Sequence, residues 1–187
     1  MGPKSFRITF ALLLVAAIAL IIIPADDWDA PANVSTDAVP PGHYPPAPST
    51  AVGMTPEWRE FADQVDRVCA ESFNYAMALN AQVEQRAKAE GWAEPRRESA
   101  VVTIWAHQVA RVSLGATELG QPPERSALFN RWRLNVAQRT GLFHRASQVA
   151  RQGRFDKETR IFDRIHRLKT QSDELGQRFG LRICTSN

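Results

Sequence analysis

The stretch TPEWREFADQVDRVCAESFNYAMALNAQV, residues 55–83, decides the fold. Trp58, Phe61, Val65, Val68, Ser72, Ala76, Leu79 and Val83 recur at three- and four-residue spacing, the period of one helix face. Thr55 offers a side-chain oxygen to the first free amides. Pro56 suits the first helical position, where its missing N–H is not needed, and Glu57 complements the helix dipole. Gly91 can adopt the left-handed conformation that stops a helix, with Trp92 placed to pack back on the last turn.

The same grammar repeats downstream. Pro95 opens a second helix with Val101, Trp105, Gln108, Val109, Val112, Ala116 and Leu119 on one face, and Gly120 ends it. Pro122-Pro123 restarts a third, with Leu128, Phe129, Trp132, Val136, Phe143, Ala146 and Ala150 inward; Gly141 is where this helix would divide. Gly153 breaks the chain, and Phe155-Asp156 supplies a hydrophobic residue followed by a cap. The fourth helix carries Phe155, Phe162, Ile165, Leu168, Ser172, Leu175 and Phe179, stopping at Gly180 with Leu181 packing back. No strand alternation or hairpin turn competes. Residues 55–187, 133 in all, suffice for one core. The expected fold is all-α, an antiparallel up-down-up-down four-helix bundle.

Upstream the composition changes twice. Residues 26–54 hold Pro31, Pro40, Pro41, Pro45, Pro46 and Pro48 with little apolar mass, so a disordered, extended linker is expected. In polyproline II, at ~3.1 Å per residue, it would hold a domain several tens of Å from its anchor. Pro45-Pro46-Ala47-Pro48 reads as spacer in preference to a recognition peptide. Asn33-Val34-Ser35 matches a glycosylation acceptor, which has meaning only in a glycosylating secretory pathway.

Residues 8–23, ITFALLLVAAIALIII, carry no charge and one polar side chain, Thr9. Together with Phe6, Pro24 and Ala25 they approach the ~20 residues that span a hydrocarbon core, so residues 8–25 are expected to form a transmembrane signal-anchor helix. Lys4 and Arg7 place residues 1–7 as a cytoplasmic stub, with the bulk of a single-pass chain extracytoplasmic. The alternative is a cleaved leader and a secreted product. Cutting after Ala19 leaves an exposed Leu-Ile-Ile-Ile end, and cutting after Ala25 puts Ile23 where a small residue is needed, so the anchor is favoured. No cysteine follows the run closely, which excludes a lipoprotein anchor. A stub of seven residues is too short to fold, so a signal would pass laterally to another membrane protein.

Outside the cytoplasm two cysteines most often form one disulfide. Cys69 lies several turns into the first helix and Cys184 just after the last, and in an up-down-up-down bundle those two ends meet. A catalytic thiol would need a basic neighbour, and the sequence offers no local one. The segments FADQVDRVCA (residues 61–70) and FGLRIC (residues 179–184) resemble a loose group of uncharacterised actinobacterial proteins, membrane-anchored or secreted, with an early helical cysteine and a terminal GLxxC. The resemblance implies the layout and brings no activity and no catalytic residue.

No constellation for chemistry emerges. Di-metal bundles need two Glu-x-x-His motifs and two further carboxylates; the chain has a lone Asp163-x-x-His166. His107, His144 and His166 read as solvated or interhelical histidines, and Trp58, Trp92, Trp105 and Trp132 as packing residues. Glu57, Glu60, Asp63, Asp66 and Glu71 read as a solvated face of the first helix. Phosphate loops, nucleophile elbows and His-Glu-x-x-His are absent, and no cofactor or metal is expected.

Charge is the remaining signal. Residues 55–94 carry four basic and eight acidic residues, a balance of −4, whereas residues 125–169 carry twelve basic and three acidic, a balance of +9. Opposite signs on neighbouring helices favour correct pairing. The sharper reading makes Arg131, Arg145, Arg160 and Arg164 an anion-binding face. Outside a cell the anions at hand are lipid headgroups and wall polymer, and no nucleic-acid motif points elsewhere. The expectation is a membrane-tethered, extracytoplasmic, non-enzymatic helical module that binds a protein or envelope partner. Binding of an envelope polyanion or anionic lipid is the alternative, and an enzyme with a site assembled from scattered helix positions is the minor one.

Overall fold

The structure, a computed structural model, describes residues 51–185. Four helices, α1 (Pro56–Glu90), α2 (Glu94–Glu118), α3 (Ser126–Arg151) and α4 (Phe155–Phe179), form a helical bundle, with no strand among the described residues. The expected transmembrane helix at 8–25 and most of the linker lie outside the described residues; no helix among those described is long and apolar enough to cross a membrane.

The caps of α1 follow the sequence. The Trp58 N–H donates to Thr55 Oγ1 at 3.3 Å, and Thr55 Oγ1 donates to Glu124 Oε1 at 2.7 Å, tying the start of α1 to the loop before α3. Gly91 closes the helix at φ 62°, and the Trp92 N–H returns to the Ala87 carbonyl at 2.9 Å. The end of α4 is built alike: Gly180 sits at φ 104°, the Leu181 N–H reaches the Gly176 carbonyl at 2.9 Å, and Leu181 is fully buried. Both are left-handed stops with a hydrophobic residue folded back.

Several local expectations fail. Pro122-Pro123 does not start α3; it lies in the connection, and the helix begins at Ser126 after Arg125, which holds φ 54°. Arg125 is the one non-glycine residue with positive φ among those described, and tertiary contacts hold it there. Its guanidinium lies 4.4 Å from the Trp58 ring centroid, and Nη1 donates to the Arg178 carbonyl at 3.3 Å. Gly141 does not divide α3, because one helix-interior glycine costs only about 1 kcal/mol against Ala. Asp156 is not the cap of α4: it lies in the first turn, Phe155 is largely exposed, and Arg154 precedes the helix without a side-chain cap. On α2 the buried residues include Val102, Ile104 and Ala106 in place of Val101, since α2 packs on both α1 and α3 and buries a broad arc.

One pole of the bundle is aromatic. Phe129 of α3 lies 5.1 Å from Phe61 of α1, 5.1 Å from Phe179 of α4 and 5.6 Å from Trp132, with Trp58 5.9 Å from Phe179. Burying each ring contributes roughly 1.5–3 kcal/mol, and such pairs add about 0.5–1.5. Packing is most extensive between α2 and α3 and between α3 and α4, while α1 and α4 meet chiefly at this pole. Two glycines permit close approaches. A Cβ on Gly115 would lie 2.6 Å from Val68 Cγ1, and one on Gly176 would lie 2.6 Å from Thr185 Cγ2. Farther along, a buried hydroxyl cluster joins α2 to α3: Ser147 Oγ lies 3.0 Å from Ser99 Oγ and 2.6 Å from Thr103 Oγ1.

Candidate functional site

Cys69 and Cys184 form a disulfide, with Cα atoms 5.3 Å apart and a sequence separation of 115. The expected pairing is present, and it staples the C-terminal segment to α1. Asp66 lies one helical turn earlier on the same face. It does not belong to a solvated acidic face: it is 3 % exposed, and its carboxylate accepts the N–H groups of Arg182 at 2.8 Å, Ile183 at 2.9 Å and Cys184 at 3.0 Å. Burial pushes its carboxyl above the ordinary aspartate range, and the three amides and Arg182 draw it back. The other four acids of that group remain exposed.

Behind the staple the helices flank a half-open cavity of about 290 Å³, walled by Phe73, Trp105, Val109, Val112, Phe143 and Phe162, with both cysteines in its lining. It exists because α1 and α4, joined at the aromatic pole, do not pack along their length. Its polar lining is Gln108 of α2, Arg139 of α3, and His166 and Lys169 of α4. Lys169 pairs with Asp173 at 2.8 Å. Arg139 Nε is buried with no hydrogen-bond partner among the described residues, as is Asp173 Oδ1. Burial works against the Arg139 charge, and Asp173 partly restores it. The lining includes His166 but no carboxylate.

The four candidate arginines are all exposed. Phe143 of α3 meets Phe162 of α4 at 6.0 Å; Arg145 falls two residues after Phe143, and Arg160 and Arg164 two residues either side of Phe162, so all three lie on the sides of α3 and α4 turned away from that contact. Arg131 lies two heptads before Arg145, about 21 Å along the axis.

The histidines divide. His107 of α2 and His144 of α3 face each other across the helix interface, ring centroids 6.2 Å apart, whereas His166 lines the cavity. Burial lowers the pKa of His107; burial, and then the His107 charge, lower that of His144. No three His, Cys, Asp or Glu side chains among the described residues are gathered as metal ligands. At the opposite pole Glu158 is buried, and burial together with the Glu98 carboxylate raises its pKa.

Trp58 and Trp132 are core residues, as expected; Trp105 and Trp132 also line the cavity. Sequence reasoning missed Arg139, Lys169 and Asp66. Arg139 falls three residues after Val136 and four before Phe143, at inward spacing, and that position was the available signal. Comparison with protein-family models, curated proteins and solved structures finds no match for this chain.

Proposed function

We propose that the chain is a membrane-tethered, extracytoplasmic, non-enzymatic module whose basic α3–α4 surface engages an anionic envelope partner. The observation that carries this reading is the exposure of Arg131, Arg145, Arg160 and Arg164 on α3 and α4, the helices with the strongest basic excess. Guanidinium groups with aqueous access offer forked donors to phosphate or carboxylate oxygens. The apolar run at 8–23 supports the anchor, and the disulfide fits an oxidising compartment. Contacts between the starts and ends of successive helices support the antiparallel up-down-up-down course, which leaves this pair open on its outer flank.

The test uses the full chain held in nanodiscs of neutral lipid and titrated with phosphatidylglycerol vesicles or an anionic wall polymer. Binding should weaken steeply with salt and collapse in R145E/R160E/R164E. Salt-independent binding, or binding untouched by the triple reversal, sinks the reading. Recovery of one protein by crosslinking that survives the reversal would move the function to a protein partner.

A further inference from the structure

We infer that the half-open cavity between the helices is a binding site for a small single-chain amphiphile with an anionic head group. The site is distinct from the basic outer surface and does not rest on it. Its volume of about 290 Å³ lies at the small end of ligand pockets, which run from roughly 300 Å³ upward and are mostly apolar with a few placed polar groups. The walls are of that kind. Phe73, Trp105, Val109, Val112, Phe143 and Phe162 come from all four helices and surround a volume suited to an alkyl or aryl body.

The head-group chemistry follows from the polar lining. Arg139, Lys169 and His166 line the cavity and no carboxylate does. Asp173, the acid beside them, gives Oδ2 to Lys169 at 2.8 Å and keeps Oδ1 buried near Arg139 with no hydrogen-bond partner among the described residues; two cations against one acid leave a local excess of positive charge. Arg139 Nε is a buried donor with no partner among the described residues. An unmet buried donor is costly, and one attached to a cation is met best by an anionic oxygen. A carboxylate or phosphate monoester at the Arg139 edge would meet that donor while its chain replaced water along the aromatic wall. A cationic head would meet the same groups unfavourably.

The full-length, oxidised chain in nanodiscs of phosphatidylcholine is irradiated with a decanoate carrying a diazirine in its chain, and the adducts are located by mass spectrometry. Adducts are expected on Phe73, Trp105, Phe143 or Phe162. Decanoate and decyl phosphate should compete, and decyltrimethylammonium should compete at least about tenfold less well. That factor is the size of one charge-assisted hydrogen bond. Whichever of the two anions competes better tells a fatty acid from a phosphate-headed lipid, and either supports the site. R139Q should lower labelling about tenfold at an unchanged melting temperature; K169Q, read beside it, carries the same expectation if R139Q melts early. Equal competition by the cation would reduce the cavity to a greasy void. Adducts confined to residues 8–25, or to the surface around Arg145, Arg160 and Arg164, would overturn the proposal, as would R139Q and K169Q both labelling fully.

Discussion

The Asp66 carboxylate accepts the Cys184 N–H at 3.0 Å, and the disulfide from Cys184 returns to Cys69, one turn farther along α1. One short segment is therefore gripped twice from the same helix face, once by a charge and once by a covalent bond. D66A should strand three part-buried amides and cost about 3 kcal/mol in urea unfolding of the oxidised chain, with D66N losing less. A change within ~0.5 kcal/mol, usual for a surface site, would contradict the clamp.

Removing the staple in C69S/C184S should destabilise by up to about 5 kcal/mol, because it frees a long loop in the unfolded chain. Thiol labelling of the parent protein should appear only after reduction. In the C69S/C184S background, D66A should cost less than it does alone, since both features hold the same segment. Strict additivity would separate them.

The His107–His144 pair makes stability depend on pH. Burial holds both folded pKa values below 6.5, the ordinary value, so on acidification the unfolded chain takes up protons before the folded one. Melting temperature should hold steady above neutrality and fall as pH drops below 6.5 toward the folded values. H144Q should flatten that decline; an unchanged slope would place the sensitivity elsewhere.

Two helix glycines should respond oppositely to alanine. G115A drives a Cβ to 2.6 Å from Val68 Cγ1 and should destabilise by about 1–3 kcal/mol, with V68A restoring part of the loss. Gly141 has nothing within 4 Å of an added Cβ, and G141A should stabilise by roughly 0.5–1 kcal/mol. Thermal melts of the three variants settle both.

Helix number and the stops at Gly91 and Gly180 were legible because each is encoded within a few residues, by a period or a left-handed glycine; the cysteine pairing, 115 residues apart, was legible because the chain holds two cysteines. What escaped depends on contacts far apart in sequence. Asp66 looks like any acid on a charged helix until residues 182–184 fold over it. Arg125 looks unsuited to a positive φ until the Trp58 ring and the Arg178 carbonyl are beside it. The cavity was invisible for the same reason. The pattern says which residues face inward, but not that α1 and α4 leave a space that Arg139 and Lys169 line.

The chain's first described residues give the staple a mechanical meaning. Ala51, Gly53 and Met54 lie beside Gly180 and Arg182, so the points where the chain enters and leaves the bundle share one pole. A pull applied through the residues before Ala51 is taken up by the start of α1 and crosses to the C-terminal segment through the Cys69–Cys184 bond. The load path thus runs along α1 from Pro56 to Cys69 and is closed covalently there.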